Sequence, residues 1–203
     1  MTLGYALRRI AEEYPLARLD PPAGHPLAAV IRNGAPDELR RALAGIDGPF
    51  LVKGSPGRGT RWAAVPWLAA FDPAVTTSAT QGYYLVYLVP ADREAVHLSL
   101  AQGTVAAIRA HGPGAGAALR ASGDVLRHRL ADFADRLPER AIRLGCAGAL
   151  PEGYEAAHIL GLSYGLADLG DERRLIADLA TGVAAYRALK ARGGLQIADR
   201  PGL

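Results

Sequence analysis

Apolar residues recur at helical spacing from the start of the chain: Leu3, Leu7 and Ile10 share one face and Pro15 ends the pattern, which predicts an amphipathic helix over residues 2–14. Leu27, Val30 and Ile31 predict a second, short helix. DELRRALAGI, beginning at Asp37 after Pro36, predicts a third whose first turn is capped by its acid. From Pro49 the period changes. FLVK, WAAVPWLAAF, YYLVYLVP and AVHLSLAQG are short runs rich in aromatic and β-branched residues, parted by Gly, Pro, Ser, Thr and Asp, and they predict a mainly antiparallel sheet. Tyr84, Val86 and Leu88 alternate with Tyr83, Leu85, Tyr87 and Val89. Both sets are apolar, so this strand is expected to be covered on both sides. ADRE, residues 91–94, is expected to turn the chain toward Val96, and Pro66 predicts an edge position or a bulge.

Helical spacing returns in TVAAIRA and over AALRASGDVLRHRLADFADRL, where Leu119, Val125, Leu126, Leu130, Phe133 and Leu137 form a broad stripe. AIRLGCA predicts one more strand. GYEAAHILGLSYGLADL and DERRLIADLATGVAAYRALKARGG predict two last helices, the second closed by a glycine pair after basic residues. The expected fold class is therefore α+β: a mainly antiparallel sheet of four or more strands flanked by N-terminal and C-terminal helices. One domain over residues 1–195 is expected, with 196–203 as a tail or linker.

Composition narrows the function only slightly. At 203 residues, half of them apolar, the chain is long enough for a substantial core. A formal charge of +3 is too mild to announce nucleic-acid binding by itself. The lone Cys146 makes no intramolecular disulfide, and no Cys/His cluster has zinc-ligand spacing, so a reduced, cytoplasmic setting without a metal is expected. Charges interrupt the first residues where a signal peptide needs its apolar run, and no stretch is apolar enough to span a bilayer, so no membrane partner is expected.

Three catalytic motifs fail in detail. GSPGRGTR follows an apolar strand, but a nucleotide-binding loop needs Lys and then Ser or Thr after its last glycine, where Thr60 and Arg61 stand. GLSYG fits G-x-S-x-G, yet every histidine precedes Ser163 and the surrounding pattern is helical, so small residues at a helix contact are the plainer reading. No E-x-K or paired-histidine arrangement suggests a metal-dependent nuclease. No catalytic residue and no cofactor are expected.

One stretch carries more information. Residues 48–91 hold Lys53, Arg58 and Arg61 against the single acid Asp72, with two Trp and three Tyr. Lys53, Ser55, Arg58, Thr60 and Arg61 lie on or beside a glycine-rich loop where backbone amides and cations can approach phosphates. Trp62, Trp67, Tyr83, Tyr84 and Tyr87 lie on the flanking strands, and stacking a base on such a ring contributes roughly 1–3 kcal/mol. Residue types alone leave a plainer reading beside this one, with Trp and Tyr as core and Gly as turn chemistry.

The wording of the sequence goes further. VKGSPGRG followed by RWAAVPWLAAFDPAVTTSATQGYYLVYLVPADREAVHLSLAQG resembles the MrcB-like N-terminal domain family, and GYEAAHILGLSYGLADLGDERRLIADLATGVAAY is similar to that domain's C-terminal portion. The chain departs from the pattern by one extra residue, Thr60 or Arg61, before Trp62. It also has His97 and Ala101 where Tyr and Asn are usual. The resemblance implies a DNA-recognition module of modification-dependent, type IV restriction, a phage-defence system. In that family 5-methylcytosine or a similar base is read by this domain, while a nuclease or GTPase motor, fused or separate, does the cutting. Its partners would be double-stranded modified DNA and that nuclease or motor, and the chain itself would be no enzyme. Lys53, Ser55, Arg58, Trp62, Trp67, Ser78, Thr80, Tyr83 and Tyr84 match the family's block; with Thr60 and Arg61 they form the candidate nucleic-acid-binding set.

Burying one methyl group yields only about 0.8 kcal/mol, so a reader needs a shaped pocket that is penalised when the methyl is missing. A flipped base sandwiched by rings satisfies this, and so does a major-groove contact to the methyl. The number of aromatics favours flipping. A protein-interaction domain with an aromatic strand surface is the alternative reading.

Overall fold

A computed structural model describes residues 1–46, 48–90 and 95–195. Five strands form one antiparallel meander in the order β1-β2-β3-β4-β5: β1 Leu51–Arg58, β2 Arg61–Phe71, β3 Tyr83–Leu88, β4 Val96–Gln102 and β5 His158–Tyr164. The turn expected at 91–94 and the tail 196–203 lie outside the described residues.

One face of the sheet carries Leu68, Tyr83, Leu85, Tyr87, Leu98 and Leu100 and is fully covered. Its cover is built from α1 Leu3–Ala17, α2 Pro26–Ala29, a π-helical turn Val30–Gly34, α3 Ala35–Ala44 and the long α7 Glu172–Ala191. Thr2 caps α1 by accepting from the Tyr5 amide, and the Glu172 carboxylate accepts from the Leu3 and Gly4 amides at 3.0 and 2.9 Å. That carboxylate sits against the positive end of the helix dipole and joins the first helix to the last. Tyr186 of α7 donates to the Tyr83 carbonyl and accepts from the Asp72 amide, tying the same helix to β3 and the end of β2.

The other face carries Val65, Trp67, Ala69, Phe71, Tyr84, Val86, Leu88 and Ala101. Three helices, α4 Thr104–His111, α5 Ala115–Arg129 and α6 Ala149–Ala157, group beside the β4–β5 end. Between α5 and α6 the chain runs across the sheet as an extended strap, residues 138–148, with Ile142 and Leu144 buried against the sheet. The remainder of this face is only partly covered at β1 and at Trp67 of β2, while β3 is buried throughout.

Several local expectations change. Pro15 lies inside α1, in its last turn, and does not end the helix. The first turn of α3 begins at Ala35 with no side-chain cap, and Asp37 pairs with Arg40 instead. β1 runs through the glycines, leaving Gly59 and Thr60 as the turn. Gly54 is required because a Cβ there would lie 1.8 Å from the Ile31 carbonyl oxygen, and Gly57 holds a φ of +137° at a bulge. Pro66 lies in that bulge of β2, whose other neighbour is β3. Val125 is exposed and leaves the stripe of α5. AIRLGCA pairs with no strand and forms the strap. GYEAAHILGLSYGLADL is helix only to Ala157 and then becomes β5, where a Cβ on Gly161 would lie 2.0 Å from the Leu98 carbonyl oxygen. Close strand approach, and not a helix contact, accounts for that glycine. Among the described residues no helix is long and apolar enough to cross a membrane.

Candidate nucleic-acid interface

Alternation along β2 decides where the aromatic residues go. Trp67 pairs with Ser55 across the ladder and turns to the partly covered face, whereas Trp62 turns to the helix-covered one. There Trp62 meets Tyr14 and His25 edge-on, with ring centres 5.2 and 5.3 Å away, and its indole donates to the Asp20 carbonyl at 2.6 Å. Tyr83 is likewise buried on the covered face, edge-on to Tyr186. These two members of the expected set are separated by the sheet from the rest.

The partly covered face brings others together. Trp67, Tyr84, Val86 and Leu88 from the sheet, Ala101 of β4, Ala79 of the β2–β3 loop and Tyr154 of α6 line one apolar hollow. Trp67, Ala79 and Tyr154 are half-buried, so the hollow meets solvent at their side. It leaves ≈ 10 Å³ for water centres, about one water and far below the roughly 300–1,000 Å³ of typical ligand pockets. Its floor belongs to hydrogen-bonded strands. Room for a ring must come from the two walls outside the sheet, Tyr154 and the Ala79 loop.

That loop is braced by hydroxyls. Thr76 Oγ1 accepts from the Ser78 amide and donates to the Ser78 carbonyl, and Ser78 Oγ lies 2.9 Å from Thr80 Oγ1. The Tyr84 hydroxyl donates to the Ala79 carbonyl, and Lys53 Nζ donates to the Thr77 carbonyl at 2.8 Å. Lys53 also stands 5.9 Å from the centre of the Phe71 ring. Burial pushes the Tyr84 hydroxyl well above the usual phenol range and raises that of Tyr154, so both remain protonated donors near neutral pH. Arg58 and Arg61 pair across the hairpin, flank the exposed Thr60, and have no ion pair among the described residues. The charge of Arg58 opposes the effect of burial on the Tyr154 hydroxyl.

Sequence reasoning missed Tyr154. It opens the GYEAAHI block, and the helical pattern there hid the fact that α6 swings its ring over the sheet.

Two serine–histidine pairs lie nearby. His97 Nδ1 is 2.8 Å from Ser163 Oγ, and His158 Nδ1 is 2.7 Å from Ser99 Oγ. Each Nε2 faces a backbone carbonyl, Arg143 at 3.1 Å and Glu139 at 3.0 Å, so each Nε2 carries the proton and each Nδ1 accepts from a serine. Both histidines and Ser99 are buried. The pairs fasten the strap, and the half-buried Ser163 stands in a regular strand and not on the sharp turn that presents a nucleophile. Among the described residues no three His, Cys, Asp or Glu side chains are placed to hold a metal ion.

The family model described as MrcB-like, N-terminal domain matches residues 9–191. No curated protein matches the chain.

Proposed function

The chain belongs to the MrcB-like N-terminal domain family, which suggests a restriction-system module, and from that premise we propose that it is the modified-DNA reader of a type IV restriction system. Its ligand is double-stranded DNA carrying 5-methylcytosine. The base leaves the stack and enters the hollow between Trp67, Tyr84 and Tyr154, and cleavage belongs to a nuclease or motor in another domain or subunit.

The observation that carries this reading is an apolar, aromatic hollow on the same sheet as cations that have no acid partner among the described residues. A flipped base buries two π-faces against rings and recovers part of its unstacking cost there. Lys53, Arg58 and Arg61 supply the salt-sensitive attraction to phosphate. Ser55 pairs with Trp67 across the ladder, Ser78 and Thr80 flank Ala79, and the Tyr154 hydroxyl belongs to the wall, so these polar groups are the candidates for the Watson–Crick edge. A methyl group filling the apolar floor is favoured by packing as well as transfer, which raises discrimination toward roughly 1–3 kcal/mol. The alternative, a partner protein docking on aromatic strands, is disfavoured because Tyr83, Tyr84 and Tyr87 are buried.

The test is competitive binding to one duplex carrying cytosine, 5-methylcytosine, 5-hydroxymethylcytosine, N6-methyladenine or a phosphorothioate link in turn. 5-Methylcytosine is expected to win. Trp67→Ala, checked for folding by circular dichroism, is expected to reduce that preference severalfold while plain-duplex binding persists. Equal affinity for all five duplexes would reject the assignment.

A further inference from the structure

The strap, residues 138–148, is fastened more firmly than a covering segment requires. Glu139 and Gly161 exchange backbone hydrogen bonds at 3.1 Å in each direction. His158 and His97 hold the Glu139 and Arg143 carbonyls, and the Leu144 amide donates to Glu155 Oε1 at 2.7 Å. Ile142 and Leu144 point inward into the cluster that contains Tyr84, Val86 and Leu88. The extended backbone alternates, so Arg143 between them is exposed; Arg140, also exposed, lies at the α5 end of the strap in a groove with Asp124, Arg127 and His128. Glu155, which holds Leu144, directly follows Tyr154, the outer wall of the hollow. Arg143 is therefore delivered to the same face as the hollow, on a backbone that is fixed on both sides of it.

Core packing explains Ile142 and Leu144 and says nothing about the residues between and beside them. Neither Arg140 nor Arg143 has an ion pair among the described residues. On the helix-covered side Arg8, Arg9, Arg40, Arg41, Arg174 and Lys190 each meet an acid, while Arg18, Arg32, Arg173 and Arg187 have no ion pair among the described residues, so the fixed backbone beneath Arg143, and not the missing acid alone, sets it apart. Cations left unpaired on a rigid support are what backbone contacts to a polyanion use, because little side-chain or main-chain order is lost on binding.

We propose that the strap is a second phosphate-binding jaw, with Arg143 gripping the DNA backbone on the opposite side of the hollow from the Arg58–Arg61 hairpin and Arg140 extending the contact along the strap. The inference rests on the DNA-reading assignment. Two jaws flanking the hollow hold the strand on both sides of an extruded nucleotide, which a single hairpin cannot do.

The experiment is a salt titration of binding to modified and plain duplexes by the wild-type chain, Arg143→Gln, Arg140→Gln/Arg143→Gln and Arg143→Lys, with Arg173→Gln on α7 as the control from the covered side. Each lost phosphate contact is expected to flatten the slope of log affinity against log salt by about 0.9, so the double variant loses roughly twice the single one's share. The preference for modified DNA stays constant, and Arg143→Lys stays near wild type. Unchanged slopes in the Gln variants, with the wild type binding normally, overturn the second jaw and leave the reader intact. A selective loss on modified DNA also overturns it, since Arg143 would then be reading a base. Wild-type protein that binds no duplex removes both proposals together.

Discussion

Trp62 packs edge-on against Tyr14 and His25 and donates to the Asp20 carbonyl, closing the segment after α1 onto the sheet. Sequence alone assigns it to base stacking, because Trp62 and Trp67 share one strand beside the glycines. Strand alternation sends them to opposite faces. Trp62→Ala is accordingly expected to lower stability by about 2 kcal/mol, below the range for a fully buried Trp because this ring is half-exposed. It is expected to leave the ratio of modified to plain binding unchanged. Urea unfolding and the competitive binding assay read these two outcomes separately. A lower ratio without lost stability would return Trp62 to the DNA side. One residue number, odd or even, thus decides whether a tryptophan serves the fold or the ligand.

At the scale of elements, the strap depends on a neutral His158. Burial, as the largest cause, drives the His158 pKa from 6.5 down to about 4, against a smaller opposing effect of its bond to the Glu139 carbonyl. The unfolded chain therefore binds a proton between pH 6.5 and 4 that the folded chain refuses. Stability is fully present above about pH 6.5 and falls as pH drops, by about 1.4 kcal/mol per unit and roughly 3 kcal/mol in all by pH 4. Denaturant midpoints measured across that window are expected to show this slope, and His158→Gln is expected to reduce it. A flat profile in the wild type would mean that His158 titrates normally and is not clamped. The same element shows where sequence reading stops. The meander β1 to β4 and its two-sided burial were legible because alternation and aromatic content mark strands directly, and α7 was legible from its length and its closing glycines. The strap was read as a strand because Ile142 and Leu144 alternate as strand residues do. Its partners are two histidine side chains, the Glu155 carboxylate and a single bridge, which no local pattern encodes. β5 was read as helix because Ala-rich α6 runs straight into it, and only the approach of Gly161 to Leu98 fixes the change. Tyr154 was hidden by the same junction, since its place over the hollow depends on where α6 ends.

Across the whole molecule the sheet separates two tasks. One face is sealed under α1–α3 and α7 and holds most of the large buried side chains. The other keeps an apolar hollow, hydroxyl-bearing loops and unpaired arginines within reach of solvent. If that division is real, changes on the sealed side move stability without moving recognition. Glu172 is a sharp probe because, among the described residues, its hydrogen bonds go to the first turn of α1, across the sheet from the hollow. Glu172→Gln weakens two charge-assisted bonds and the interaction with the helix dipole while keeping an acceptor. A loss of about 1–2 kcal/mol in stability is expected, with affinity for modified and plain duplexes and the salt slope both unchanged. Calorimetric unfolding and the salt titration are the measurements. The opposite signature, unchanged melting with a flattened slope, is expected from the exposed arginines of the hairpin and strap, because among the described residues they form no ion pair whose loss would loosen the fold. A Glu172→Gln protein whose preference for modified DNA shifts while it remains folded would show that the layers are coupled through the strands, and the assignment of one face to folding and the other to DNA would fail.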